Sequence, residues 1–510
     1  MQKQLVINLG LKSVRIIVFD DSGEQIYANS KPVYSKLRGV QVEQSAAEWR
    51  TLLNELLFEL RDQTSLAGTI EYVTSTTSSS CIYGVDESGN PTTPVMMVSD
   101  KRSKLQSDRI VSLNSYRDSA EASCFRCSPS STLPKILWFK ETEPEIYEKT
   151  HKWLGAGEFL NHFMTHEFAT DPLNAGKAFY DGTEYHSRIF QDLGIDPELL
   201  PTVNPIGTVL DIPRSVSTEY GLNEKCKFVL TTYDAVCAVI GAYDGSNQTA
   251  CDVSGTVTSV RVLTDQVIRQ DCGSVVLSQE LGLENKRLIG ASNNLGGGIA
   301  EWCKQAFYDE TDKNVYFTME NSAHNSSIGA KGILFLPYLL GERAPFKSIN
   351  AKGTFFGISR YSTNDDFTRA VFESTAFVTN DLLNLSLDAG LEIDSLSVSG
   401  GLARFDLINQ IKADVTNVSV KVIENFESTS VGACILMSLA IGKYSSLNEA
   451  CESAVRIRKI INPSKKNHEI YKEYFELYKS INASMMPSYE KHSQIMSKIR
   501  DFSPETLRNL

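Results

Sequence analysis

The chain has no long run of lysines and arginines, no apolar stretch long enough to cross a bilayer, and no dense framework of cysteines. Each absence removes a class of function. Against 62 acidic residues stand 50 basic ones, for a net charge of −12. Without clustered cations there is no footprint for a phosphodiester backbone, so no nucleic-acid partner is expected. The densest apolar stretches, GILFLPYLLG and ACILMSLAIG, fall short of the roughly 20 residues that span a hydrocarbon core. The opening MQKQLVINLG lacks a sustained apolar signal region, so a cytoplasmic protein with no membrane partner is expected. The ten cysteines are scattered, unlike the regular spacing of a small secreted scaffold, and are expected to be free thiols. Cys124 and Cys127 form a lone CxxC; with no second pair or histidine partner, packing is expected there rather than zinc.

What is present is a globular composition over 510 residues, enough for two to four domains at roughly 100 to 200 residues each. The opening alternates strand (LVINLG), Gly-containing turn, strand (VRIIVFD), DDSG turn and strand (EQIYANS), an antiparallel meander. Trp49, Leu52, Leu53, Leu56 and Leu57 then recur at helical spacing, and TIEYVTSTT reads as another strand. Strand, strand and helix in this order make an α/β lobe. Near residue 250 the pattern restarts: CDVSGTVTSVRVLTD resembles INLGLKSVRIIVFD, with Gly255 against Gly10 and Ser-Val-Arg at 259–261 against 13–15. Either turn alone is an ordinary hairpin. Facing one another, two such turns make a phosphate site, because glycine lets backbone N–H groups approach an anion and Lys12, Ser13, Thr256 and Thr258 add donors.

Over most of its length the chain resembles the FGGY family of carbohydrate kinases, two-lobed enzymes of the actin, hexokinase and Hsp70 superfamily. One signature lies at Ser130 to Thr142 (SSTLPKILWFKET), departing only at Thr142, and a second at Gly353 to Glu373 (GTFFGISRYSTNDDFTRAVFE). SDKRS at 99–103, TTYDAVCAVIGAY around Asp234, NLGGGIAEW at 294–302, PYLLGERAPF at 337–346 and SGGLARFDLINQIKADV at 399–415 follow in order. The resemblance is strongest to the xylulokinase and gluconokinase branch. It implies an α/β fold of two RNase H-like lobes around a catalytic cleft, a sugar-binding lobe at 1–245, a nucleotide-binding lobe at 246–480 and a helical extension at 481–510. It also implies ATP and Mg²⁺ as cofactors, a small-molecule sugar or polyol as acceptor, and a homodimer as a compatible assembly.

Phosphoryl transfer needs a carboxylate to orient the acceptor hydroxyl and take its proton. Asp234 follows a strand and opens an apolar helix, which by itself fits a helix N-cap; the resemblance makes it the catalytic base and a metal ligand. For the nucleotide, the resemblance points to Gly10, Lys12, Ser13, Gly255, Thr256, Gly297, Gly298, Gly400, Gly401 and Ala403, and for the acceptor to Ser79, Ser80, Asp100 and Arg102. Two departures stand out. Ser78 to Cys81 replaces the Gln-Met-His-Gly of xylulokinases, and Asn8 replaces the aspartate that faces magnesium, with Leu11 and Lys12 in place of hydroxyls. A second reading is therefore a catalytically impaired relative that senses sugar or nucleotide. An actin-like or Hsp70-like scaffold shares the fold, but the sugar-side segments at 99–103 and 337–346 argue against it.

Overall fold

The computed structural model describes residues 3–123, 126–255, 257–268 and 274–502. Two sheets organise them. In the first, the strands run in the order Val209–Asp211, Lys227–Val229, Ile70–Thr77, Lys3–Leu9, Ser13–Phe19, Gln25–Pro32. The last three form the expected antiparallel meander, and Lys3–Leu9, Ile70–Thr77 and Lys227–Val229 lie parallel. In the second sheet the order is Leu277–Glu280, Arg287–Ser292, Thr258–Thr264, Thr249–Ser254, Ser395–Gly400, Ser419–Ile423, Ile457–Ile461. Here Thr249–Ser254, Thr258–Thr264 and Arg287–Ser292 repeat the meander, and Thr249–Ser254, Ser395–Gly400 and Ser419–Ile423 repeat the parallel set. Each sheet even carries an antiparallel edge strand beyond its last parallel member. The short match between Gly10 and Gly255 thus marks the same turn in two copies of one topology.

Both sheets are buried on both faces, and alternation along each strand sends successive side chains to different cores. Leu5, Ile7 and Leu9 pack outward against the helix Ala46–Asp62 through Trp49, Leu53 and Leu57, whereas Val6, Ile17 and Phe19 face inward. That outer helix starts where Ser45 accepts the Glu48 N–H at 3.2 Å, an N-cap. In the second sheet Val260, Val262, Leu396 and Val398 face outward, and Cys251, Leu263 and Leu288 inward. The two inward faces share one core with a first central helix, Asp234–Ile240, and a second, Ser428–Ala440.

The central helices cross at two glycines. A Cβ on Gly241 would lie 1.9 Å from the Ser428 carbonyl oxygen, and one on Gly432 would lie 1.8 Å from that of Cys237. No side chain fits at either point. A 38-residue helix, Lys465–Phe502, closes the second half and continues without a break through residue 481, where an extension was expected to begin. Tyr471 and Tyr478 are fully buried along it, Tyr478 sharing a hydroxyl hydrogen bond of 2.7 Å with Tyr338, and Tyr489 is buried a further three turns on. Among the described residues no helix is long and apolar enough to cross a membrane, and the eight described cysteines carry free thiols. Cys124 of the CxxC lies outside the described residues.

The crossing yields a direct test. Gly432→Ala should lower the urea unfolding midpoint by the equivalent of about 1–3 kcal/mol or more, the usual cost of overpacking where backbone cannot retreat. Gly176→Ala, where nothing lies within 4 Å of the added methyl, should leave the midpoint unchanged. Equal effects of the two substitutions would show that the helices separate without penalty.

Candidate active site

In parallel α/β sheets, ligands collect beyond the carboxyl ends of the strands. In the first half those ends are Leu9, Thr77 and Val229, which lead into the loop at 10–12, the serines at 78–80 and the approach to Asp234, with Asn8 one residue before the first of them. In the second they are Ser254, Gly400 and Ile423, which lead into Gly255, Gly401 and the turn before Ser428. The two sets meet. Asn8 Nδ2 donates to Ser430 Oγ at 3.2 Å, and the Arg15 guanidinium pairs with the Glu427 carboxylate. Tyr233, next to Asp234, donates its hydroxyl to Gln279 Oε1 at 2.9 Å, so the Asp234 loop also reaches the opposite sheet.

Asp234 is the first residue of its helix, with Tyr233 at the N-cap position and no side-chain cap bond. Burial pushes its carboxyl up to about 6, opposed by the Ala235 N–H and by the positive charge of Lys177. The loop before it is held rigidly: Thr232 Oγ1 donates to Asp171 at 2.8 Å, and Thr231 and Thr74 share a hydroxyl bond of 2.9 Å. Lys177 lies over the Tyr233 ring at 4.6 Å. A partly buried carboxylate with its oxygens free of side-chain donors, a cation beside it and a pKa near neutrality has the properties of a general base.

Across the gap the glycines divide into two kinds. A Cβ on Gly255 would meet nothing within 4 Å, and at Gly10 and Gly401 the nearest atoms are 3.7 Å and 4.0 Å away. These three leave backbone open to a large anion. Gly297, Gly298 and Gly400 instead let loops pack on one another: a Cβ on Gly297 would strike the Gly255 carbonyl at 2.8 Å, one on Gly298 the Leu295 side chain at 2.3 Å, and one on Gly400, at φ 86°, the Ser254 carbonyl at 2.6 Å. The Gly297 N–H donates to the Gly255 carbonyl at 2.7 Å, so the loops after two strands are tied into one cradle, and the helix Gly298–Phe307 begins there. Lys12 is exposed and near enough to Glu301 of that helix for its charge to help depress the Glu301 carboxyl. Ser13 Oγ accepts from Arg15 Nε at 3.1 Å. At Ala403 the methyl is buried and the carbonyl accepts from Asn409 at 2.8 Å, which braces the loop. Thr256 lies outside the described residues.

Comparison with known proteins decides what this arrangement belongs to. The model of the FGGY family of carbohydrate kinases matches at its N-terminal domain over residues 4–241 and at its C-terminal domain over residues 253–441. The chain belongs to the FGGY family of carbohydrate kinases. It is 27% identical to a xylulose kinase of Staphylococcus epidermidis over 500 residues, covering 94% of this chain and 97% of that one. With a gluconokinase of Bacillus subtilis it shares 24% over 466 residues, covering 87% and 88%. Its fold is that of the gluconate kinase of Lactobacillus acidophilus, with a TM-score of 0.86 at 22% identity over 96% of this chain and 99% of that one. The chain is thus a carbohydrate kinase with the two-lobed actin and hexokinase fold.

On the side where an FGGY kinase is expected to take its acceptor, Asp100 and Arg102 already engage one another. Asp100 is fully buried, and its oxygens accept from the Val42 N–H at 2.8 Å and from Arg102 at 2.7 Å and 3.0 Å. Arg102 also donates to Glu43 at 2.7 Å and stacks on Trp138 at 5.1 Å. This pair is an internal brace between the segments at 41–44 and 97–103, with no Asp100 oxygen left for a sugar hydroxyl. Ser79 and Ser80 differ: both are partly exposed and line a recess with Asn174, Trp153 and Tyr185. No group of three His, Cys, Asp or Glu side chains that could hold a metal occurs among the described residues. Asn8 has its amide nitrogen engaged by Ser430, which leaves Oδ1 as its free acceptor. A divalent cation here would depend on ligands other than a protein cluster, such as nucleotide phosphates. Sequence reasoning passed over Lys177, since nothing in NAGKAF distinguishes it from a surface lysine.

Replacement of Asp234 separates catalysis from stability. The folded carboxyl keeps its proton up to about 6, whereas an unfolded one releases it near 3.8. The cost of the buried charge is therefore fully present above pH 6 and is relieved as pH falls from 6 toward 4. At pH 7, Asp234→Asn should reduce turnover by roughly 10² to 10⁴-fold while stabilising the fold by on the order of 1–3 kcal/mol. The wild-type rate should fall on acidification through pH 6. A variant that loses activity and stability together would mark Asp234 as a structural residue.

Proposed function

We propose that this kinase transfers the γ-phosphoryl group of ATP to a hydroxyl of a ketose or related polyol, with Asp234 as general base. The carrying observation is Asp234 itself: a half-buried carboxylate at the start of a helix beyond a strand end, raised to about 6 and without a side-chain donor, in a fold whose strand-end loops also carry open glycines. In the step, the acceptor O–H gives its proton to Asp234, the oxygen forms a bond to the γ-phosphorus, and the bond from that phosphorus to the bridging oxygen breaks to release ADP. Gly10, Gly255 and Gly401 receive phosphate and ribose through backbone, and Lys12 brings positive charge from the first lobe. Magnesium bound with the nucleotide would neutralise phosphate charge, with Asn8 and Asp234 as its protein neighbours. The reading places the acceptor in the first lobe at 1–245 and the nucleotide in the second at 246–480; the names of the relatives, a xylulose kinase and a gluconokinase, support a sugar or sugar acid as the class of acceptor.

Ser79 and Ser80 offer short hydroxyls where xylulokinases carry a Met-His pair, so D-xylulose is expected to be a mediocre acceptor. A panel of pentuloses, hexuloses, polyols and aldonates, assayed for ADP release with magnesium and ATP, identifies the acceptor; a D-xylulose efficiency far above every alternative would remove the serine argument but not the kinase. No transfer to any acceptor at any magnesium concentration would instead establish the impaired, sugar-sensing reading.

Asn8 sets the metal requirement. An amide oxygen brings no charge to hold Mg²⁺ against water, so half-maximal rate should need more magnesium than in Asn8→Asp. The substitution preserves the Ser430 contact, because the serine hydroxyl can donate to the new carboxylate. Coincident magnesium titrations of the two active proteins would show that Asn8 only ends its strand.

A further inference from the structure

Lys135 is fully buried, yet its described hydrogen bonds go to no carboxylate: Nζ donates to the Ser80 carbonyl at 2.5 Å and to the Met97 carbonyl at 2.9 Å. A buried ammonium held only by carbonyls is costly, and burial pushes its pKa down to about 8. The two carbonyls belong to the two segments on the acceptor side, the serines at 78–80 and the strand exit that leads into Asp100. Ser80 adds a second, independent observation. Its φ is 64°, in the left-handed region that a side chain disfavours, and it follows the strand end at Thr77 with no glycine to ease the turn. The Asp100 N–H in turn donates to the Met97 carbonyl at 3.1 Å, so the ammonium and the Asp100–Arg102 brace grip the same peptide.

We propose that Lys135 is the positioning residue of the acceptor pocket: its ammonium straps the strained Ser80 peptide to the 97–102 segment and so fixes where Ser79 and Ser80 present themselves to the sugar. The inference rests on the reading that Ser79 and Ser80 line the acceptor site. Lys135 touches no substrate and acts through backbone. The shape of the pocket then depends on a backbone conformation that the serines themselves do not favour, and the phosphate loops are unaffected by it.

The test is a cycle of Lys135→Met, Ser80→Gly and the double variant, read by urea midpoint and by steady-state kinetics with D-xylulose, D-ribulose and D-gluconate. With the strap intact, Ser80→Gly relieves strain and raises the midpoint; once Lys135→Met lets the peptide relax, the same substitution should raise it less. In kinetics, Lys135→Met should raise the acceptor KM by roughly tenfold, leave the ATP KM unchanged, and recover part of that loss in the double variant, because glycine holds the left-handed turn without a strap. Lys135→Gln, with two neutral donors, carries the same comparison should Lys135→Met not fold. Equal midpoint shifts from Ser80→Gly in both backgrounds, or an ATP KM that moves as far as that of the acceptor, overturns the proposal. Ser79→Val checks the underlying placement: if it leaves the acceptor KM unchanged while Ser80→Gly shows the coupling in the midpoint, the strap stands and the acceptor assignment of the serines falls.

Discussion

The closeness of the two central helices governs the rest of the molecule. Because Gly241 and Gly432 bring backbone against backbone, a single helical layer separates the sheets. Had either position carried a side chain, the helices would stand apart by the thickness of a methyl group or more, and the strand ends would separate with them. Asn8 would lose Ser430, Arg15 would lose Glu427, and the Tyr233 hydroxyl would lose Gln279. The gap in which a carboxylate must stand in line with a nucleotide is thus set by a contact deep in the core.

Around that crossing, two copies of one topology have taken different work. The first places acid chemistry at its strand ends, where Asp234 is left short of hydrogen bonds and above its ordinary pKa at a cost to stability. The second places backbone there, with Gly255 and Gly401 open and Gly297 and Gly400 binding the loops to one another. Beneath this cradle Lys412 and Asp252 form a fully buried ion pair, with Thr379 donating to Asp252 at 2.9 Å. Every partner there is satisfied, which suits a support that must not shift when phosphate charge arrives.

Features governed by local rules were legible in the chain. Period-2 and period-3.6 patterns located the opening meander and the helix Ala46–Asp62, and Gly10 against Gly255 disclosed the repeat. Asp234 reads from local sequence as a cap, whereas the helix begins with it and Tyr233 takes the N-cap position. What failed concerned partners far apart in sequence. Asp100 and Arg102 have the chemistry of sugar ligands, but Val42 and Glu43, 58 and 59 residues away, already engage them. The Gly241 and Gly432 crossing joins positions with no common motif. The second family signature contributes a buried network in which Glu373 accepts from Arg369, Tyr471 and the Gly329 N–H, and so serves the core that the helix Lys465–Phe502 completes. Its Tyr471 lies in the resemblance, but the helix continues past it because Tyr489 still has apolar surface to bury.

The buried cations show why the acceptor side carries so little sequence signal. Arg102 is matched by two carboxylates, so its charge is neutralised within the fold and the pair reports on architecture alone. Lys135 and Lys177 are held by carbonyls and by an aromatic face instead. Such partners leave a cation's field uncancelled, and in a water-poor interior an uncancelled field reaches neighbouring groups. From Lys177 it reaches Asp234 and opposes the burial that lifts that carboxyl. From Lys135 it acts on the dipoles of two peptides and holds Ser80 in a conformation serine alone would leave. In both cases a lysine without a carboxylate partner acts on a group one layer away, on a carboxyl in the first and on backbone in the second.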